Sequence, residues 1–121
     1  MNFNDFYWHD AIIKNILIDR NKPGILDEIC FDLEWPEEKG KVIFVFEEVY
    51  WAMMNLNFGI VADETIFNAF VLDEDDKDLV NFYSKWKGGM NEVKLNTYKI
   101  NLNSTGGEIK IIAKKFRVNT V

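Results

Sequence analysis

Residues 25–35 read Ile-Leu-Asp-Glu-Ile-Cys-Phe-Asp-Leu-Glu-Trp, and this stretch decides the fold class. From Ile25 to Trp35 apolar residues fall on the odd positions, interrupted only by Asp27, and mostly acids lie between them. A period of two predicts a strand with one face on the core and one in water. Residues 12–19 predict an earlier strand partner, and the turn-forming residues 20–24 predict a hairpin loop between the two.

The segments that follow extend this sheet. Residues 42–46 are apolar at odd and even positions alike, which predicts a central strand with both faces covered. We expect a bend or bulge within residues 47–51, so that the apolar run up to Phe58 supplies more than one strand. Residues 65–72 predict a further strand. Two strands close the chain, the first from Val93 to Leu102 with a bulge near residues 96–97, the second from Ile109 to Val118 with a parity change before Phe116.

One segment has helical periodicity. Leu79, Phe82, Tyr83 and Trp86 are spaced at i, i+3, i+4 and i+7, which predicts a helix over about residues 76–87. Asp75 or Asp76 is suited to cap its start, and Gly88-Gly89 is suited to end it. The sequence therefore predicts an α+β, mainly β fold. It has about six mostly antiparallel strands in a curved sheet, open barrel or sandwich, with one helix in the C-terminal half.

Length and charge bound the function. The 121 residues predict a single domain spanning 1–121. The net charge of −6 argues against nucleic acid as the main partner, since phosphate binding needs a basic surface, and it suits a basic partner protein. Cys30 has no second cysteine for an internal disulfide, and the sequence shows no signal peptide and no apolar run long enough to span a membrane. We therefore expect a cytoplasmic protein without a membrane partner.

A single histidine and a single cysteine leave little material for a metal site or a nucleophilic triad, so no cofactor is expected. The histidine lies in the run Tyr7-Trp8-His9-Asp10, which has three interpretations. It is a structural element entering the first strand with Tyr7 and Trp8 on the core, a binding hot spot, or a catalytic base oriented by a carboxylate. Because adjacent residues of a strand point to opposite faces, we expect no direct pair between His9 and Asp10.

The acidic run at residues 73–78 and the tryptophans supply the other candidates. A calcium-binding loop starting at Asp73 would need Gly at position 6 and Glu at position 12, where the chain has Asp78 and Ser84. The run is therefore a solvated helix start or an acidic patch for a basic partner. Trp and Tyr side chains favour either the core or an interface. The candidate binding residues are Tyr7, Trp8, His9, Asp10, Trp35, Trp51, Asp75 and Asp76.

The opening Phe6-Tyr7-Trp8-His9-Asp10-Ala11-Ile12-Ile13 resembles that of small bacterial domains of unassigned function. These begin with a Trp/Phe-His-Asp-Ala/Ser element and continue in β-strands, and some look like immunity proteins of polymorphic toxin systems. The resemblance implies a cytoplasmic, non-enzymatic binder of a partner toxin, with no cofactor and no catalytic residues.

Three functions follow as hypotheses. The first is a non-enzymatic protein-binding domain, an acidic immunity-type or regulatory protein. The second is a small-ligand-binding domain with an aromatic-lined pocket, suggested by the Phe, Trp and Met content of residues 42–58. The third is an enzyme using His9 and Asp10. Open sheet edges are compatible with a homo-oligomer, although the sequence does not select one.

Overall fold

The fold is mainly β. The computed structural model describes residues 1–90 and 92–121, which form one six-stranded sheet, one α-helix and two short 3-10 turns. The strands are β1 (Ile12–Asp19), β2 (Glu28–Trp35), β3 (Gly40–Asn55), β4 (Ile66–Val71), β5 (Asn96–Leu102) and β6 (Glu108–Thr120), and the helix is α1 (Lys77–Lys85). The sheet order is β1-β2-β3-β6-β5-β4, and every neighbouring pair is antiparallel. The predicted fold class is confirmed.

The first hairpin forms as predicted, with the predicted alternation in β2. β1 has the predicted bounds, and the odd-numbered side chains Ile29, Phe31 and Leu33 of β2 are buried. β2 begins at Glu28, three residues after the predicted start, so the prediction that Ile25 lies on the core face is wrong. The amides of Ile25 and Leu26 both donate to the carbonyl of Lys22, which closes a turn and leaves Ile25 in solvent.

β3 is one strand of 16 residues rather than two, so the expectation of more than one strand is wrong. Its first part pairs with β2 and nearly its whole length pairs with β6. The predicted irregularity is present, because Glu48 has a φ of +51° and the β3–β6 register shifts between Val49 and Trp51. β3 ends at Asn55, so the apolar run up to Phe58 continues into a loop.

The two edge strands of the sheet meet at one end. The amide of Ile66 donates to the carbonyl of Ala11 at 2.8 Å, and the amide of Ile13 donates to the carbonyl of Glu64 at 2.8 Å. An isolated antiparallel bridge joins Ile12 to Thr65 between them. The sheet is therefore strongly curved, which brings its first strand back to its last.

The core lies on the concave face of the sheet, and aromatic rings fill it. Phe44 and Phe46 of β3 are fully buried, and Phe44 stacks on Phe116 at 5.1 Å between ring centroids. The N-terminal segment contributes Phe3 and Trp8, which pack on these rings. The predicted parity change in β6 is confirmed, because Ala113 and Phe116 both pack against this core.

The helix covers the opposite face of the sheet. Leu79 packs on Ile112 of β6 and on Leu95, with Phe82 and Tyr83 around them. Val93 and Leu95 precede β5 and belong to this second cluster, so the prediction of a strand from Val93 with a bulge near 96–97 is wrong. The Tyr83 hydroxyl donates to the carbonyl of Val93 and accepts from the amide of Leu95, which fixes this segment under the helix.

Candidate functional site

The run Tyr7-Trp8-His9-Asp10 divides between core and surface. Trp8 is only 4% exposed, and its Nε1 donates to the carbonyl oxygen of Phe3 at 3.0 Å. Its indole is therefore a core side chain and is not available to a partner. Tyr7 is 64% exposed, so the prediction that both aromatic residues pack on the core is wrong for Tyr7. Adjacent residues of an extended segment point in opposite directions, and Trp8 occupies the inward position.

His9 and Asp10 form a surface turn. Asp10 has a φ of +66°, and His9 Nε2 lies 3.5 Å from Asp10 Oδ1, with both side chains about half exposed. The expectation of no direct pair is wrong, because these residues precede β1 in a turn and strand alternation does not apply to them. His9 Nδ1 lies 3.2 Å from the carbonyl oxygen of Phe67, and the Asp10 amide donates to the carbonyl of Ile66. The turn therefore attaches the N-terminal segment to the edge of β4.

The acidic run contains one structural carboxylate, Asp76. Its Oδ2 accepts from the amides of Asp78 and Leu79 and so caps α1, while its Oδ1 accepts from Lys110 Nζ at 2.7 Å. Burial of Asp76 opposes its ionisation, but the hydrogen bonds from Lys110 and Leu79 outweigh that effect and lower its pKa. Asp75 is exposed and makes no such contact with the described residues. Of the two predicted caps, Asp76 is the one used.

The candidate tryptophans Trp35 and Trp51 lie in different parts of the fold. Trp35 is half-buried at the rim of the core, 5.7 Å from the Phe6 ring. Trp51 is half-buried on the helix side of the sheet and, with Phe82, lines a surface depression of about 400 Å³. Tyr50 and Trp86 flank Phe82 at ring-centroid distances of 5.7 and 6.1 Å. These four side chains, Tyr50, Trp51, Phe82 and Trp86, form an aromatic strip on the helix side.

A more exposed apolar surface lies in the loop between β3 and β4. Residues 56–62 read Leu-Asn-Phe-Gly-Ile-Val-Ala and carry no charge; we call them the apolar loop. Phe58 is 87% exposed, Val61 is fully exposed and Ile60 is about half exposed. Loops are usually polar, and large apolar side chains clustered in solvent mark interaction sites. The sequence pattern alone does not separate this loop from β3, because its residues continue the apolar run of that strand; the feature that marks it is an uncharged run between two strands.

Side chains at both ends hold the apolar loop in place. Asn57 Nδ2 donates to the carbonyl of Thr105, and Thr105 Oγ1 donates to the Glu64 carboxylate at 2.9 Å. Thr65 Oγ1 and Ser104 Oγ are also hydrogen bonded, at 2.9 Å. The turn between β5 and β6 therefore ties down both ends of the loop, while Leu56 packs against the core. These hydrogen bonds fix the ends of the loop from which the exposed apolar side chains project.

The charged residues near the apolar loop in the sequence are all acidic. From Val42 to Asp76 the chain has no Lys, Arg or His. The same segment contains eight carboxylates: Glu47, Glu48, Asp63, Glu64, Asp73, Glu74, Asp75 and Asp76. Asp63 and Glu64 follow the apolar loop directly, and the Glu64 backbone lies beside Ile13, close to the His9–Asp10 turn. An apolar surface bordered by acids is complementary to an apolar patch bordered by Lys or Arg.

Residues 1–90 and 92–121 hold neither a cluster suited to a metal ion nor a helix suited to a membrane. Within these residues, no group of three or more His, Cys, Asp or Glu side chains is arranged to hold a metal ion. None of the helices they form has the length and apolar character needed to cross a membrane.

Comparison with known proteins does not assign the chain to a family. No protein-family model matches the sequence, and no curated protein matches it significantly.

Proposed function

We propose that this chain is a non-enzymatic protein-binding domain, an acidic protein of the immunity or regulatory type, and that it contacts its partner through the apolar loop. One observation carries the proposal: Phe58 and Val61 lie almost completely in solvent on a loop that hydrogen bonds anchor at both ends. The resemblance of residues 6–13 to bacterial immunity-type domains agrees with it. A cytoplasmic location belongs to the same proposal and fits the free thiol of Cys30.

The energetics favour such a contact. Full burial of a Phe, Val or Ile side chain stabilises a complex by about 1.5–3 kcal/mol each. Because the loop ends are already fixed, association loses less conformational entropy than it would with a mobile loop. Phe58 and Val61 therefore have the properties of interface anchors, with the polar loop ends forming the rim.

The charge pattern defines the chemistry of the partner. We propose a protein with an apolar pocket flanked by Lys or Arg, because Asp63 and Glu64 border the apolar loop. Opposite charges at the rim mainly accelerate association, and salt screens them beyond a distance of about 8 Å at physiological ionic strength. The rate of association with the partner is therefore expected to fall at high salt.

Site-specific photo-cross-linking in the native host tests the proposal. Phe58 is replaced by benzoylphenylalanine, an aromatic residue that keeps the apolar surface, and Ile25 is replaced in the same way as the matched control. Ile25 is 85% exposed in the loop between β1 and β2, outside the proposed site. We expect a single cross-linked protein from position 58 and not from position 25. The same cross-linked protein from both positions, or from position 25 alone, would overturn the proposal.

A further inference from the structure

The two edges of the sheet are protected unequally. Along β4, the Ile66 amide and carbonyl pair with Ala11 and Asp10, His9 contacts the Phe67 carbonyl, and Asn4 Oδ1 accepts from the Val71 amide at 3.0 Å. The N-terminal segment therefore contacts that edge at both of its ends.

β1 has no such cover over most of its length. The Ile13 amide donates to the carbonyl of Glu64, but among the described residues Asn15–Asp19 have backbone partners only on β2. Leu17 is 60% exposed and Ile18 is about half exposed. Lys14 and Asp19 stand at the ends of this stretch, and no proline lies within it. An edge strand with apolar residues at its centre and neither charge nor proline there is a template for pairing with another strand.

The sequence of β1 is complementary to itself in one register. In a symmetric antiparallel pair the twofold axis is perpendicular to the sheet, so one residue must face its own counterpart. With Leu17 on the axis, Ile16 faces Ile18 of the second copy and Asn15 faces Asp19 of the second copy. Centring on Ile16 would place Asn15 against Leu17, and centring on Ile18 would place Leu17 against Asp19. Only the Leu17 register matches apolar with apolar and polar with polar.

The faces of the side chains agree with this register. Leu17 pairs with Cys30 and Asn15 with Asp32 on the outer face of the sheet, whereas Ile16 and Ile18 lie on the core side. Lys14 is the residue displaced by the register shift between Ile13 and Asn15. It stands beside Asn15, where its ammonium group can reach the Asp19 carboxylate of the second copy. In the same register Lys14 also stands opposite Arg20 of the second copy, so each end of the contact holds two cations, Lys14 and Arg20, and one carboxylate, Asp19.

We propose that two copies of this chain associate through β1, antiparallel and centred on Leu17, to form a continuous twelve-stranded sheet. This dimer is independent of the proposed function, because the apolar loop contributes nothing to it.

Disulfide trapping tests the register. In a Cys30→Ser background, Leu17→Cys places two thiols on the twofold axis, where opposite Cα atoms lie about 4.5–5.5 Å apart, within disulfide range. The Cys30→Ser change is needed because Cys30 faces Leu17 on β2 and would capture the new thiol. We expect rapid formation of a covalent dimer under mild oxidation. In the same background, Asn15→Cys is the control, because the two copies of residue 15 would lie about 13 Å apart along the strands. Equal cross-linking at positions 15 and 17 would overturn the register.

Sedimentation velocity tests the association itself. We expect the wild-type chain to shift from monomer to dimer as its concentration rises. Leu17→Lys, a change at an exposed position, should remain monomeric with an unchanged far-UV circular dichroism spectrum. Ile25→Lys, the control at another exposed apolar position, should dimerise like the wild type. A wild-type chain that stays monomeric at its highest attainable concentration, or a Leu17→Lys variant that dimerises normally, would overturn the proposal.

Discussion

Lys110 Nζ lies 2.7 Å from Asp76 Oδ1, so a nearly buried cation of β6 holds the first turn of α1 against the sheet. The same ammonium donates to Asp78 Oδ2 at 2.6 Å. Burial of Lys110 favours its neutral form, but the hydrogen bonds to both carboxylates outweigh this and raise its pKa. The contact joins residues 34 positions apart and defines where the helix begins on the sheet.

Lys110→Met should destabilise the protein by about 3 kcal/mol or more, because it leaves two carboxylates without their buried counter-ion. Urea unfolding followed by circular dichroism measures the loss. Lys99→Met is the matched control: Lys99 faces Lys110 across the β5–β6 pair, but its partner Glu108 is more exposed and lies 3.5 Å away. The control should cost about 1 kcal/mol or less. Equal losses in the two variants would show that the buried ion pair has no special role.

Acid should weaken the protein partly through Asp76. Because the pKa of Asp76 in the folded state lies below its ordinary value of 3.8, the unfolded chain takes up its proton first as the pH falls. The stabilisation by Asp76 is therefore complete well above that value and is lost as the pH falls through the lower folded pKa. Asp76→Asn keeps a good helix cap but cannot ionise. The difference in unfolding free energy between about pH 7 and about pH 3 should be smaller in this variant. An unchanged difference would contradict the assignment.

The elements that the sequence predicted share one property: their pattern is local. The run rich in β-branched residues predicted the bounds of β1, and alternation predicted the buried face of β2. The spacing from Leu79 to Trp86 predicted the helix, with Trp86 just beyond its end. The contacts that the sequence missed join distant residues. Nothing in the local sequence around Lys110 shows that Asp76 will neutralise it, and the closure of the sheet by residues 9–13 depends on the position of β4.

The candidate site was missed for a different physical reason. An apolar residue in a strand and one in a binding loop have the same local sequence signature, so Phe58 was assigned to the run of β3. Trp8 shows the converse. Tryptophan is common at interfaces, but the position of Trp8 is explained by its hydrogen bond and its ring packing in the core. Residue type alone does not separate these roles, because solvent exposure is decided by the surrounding fold.

Trp8→Phe should destabilise the protein by about 1–2 kcal/mol, through loss of the hydrogen bond to the Phe3 carbonyl and of part of the indole volume. Tyr7→Ala, at the exposed neighbouring position, should change stability by about 0.5 kcal/mol or less. Urea unfolding by far-UV circular dichroism avoids the change in fluorescence that the Trp8 substitution causes. A larger loss from Tyr7→Ala than from Trp8→Phe would contradict the assignment of Trp8 to the core.

Gly107→Ala should cost about 2–3 kcal/mol, because a Cβ at this position would overlap the carbonyl oxygen of Asn55, a backbone atom of β3 that cannot move aside easily. Gly59→Ala is the control within the apolar loop, where an added Cβ meets no atom within 4 Å. Thermal unfolding should separate the two, with Gly59→Ala at or slightly above the wild-type midpoint. A wild-type midpoint for Gly107→Ala would mean that the β5–β6 turn is not packed against β3 in this way.

The most direct test of the central claim is quantitative capture of the proposed partner from a native-host lysate on three immobilised proteins. These are the wild type, the double variant Phe58→Ser/Val61→Ser in the apolar loop, and Trp86→Ser in the aromatic strip. Because a tenfold loss of affinity corresponds to about 1.4 kcal/mol, removing two exposed apolar anchors should reduce recovery of one protein at least tenfold. Trp86→Ser should retain that protein in wild-type amounts. Equal recovery on all three proteins, or loss on Trp86→Ser alone, would contradict the claim that this chain binds its partner through the apolar loop.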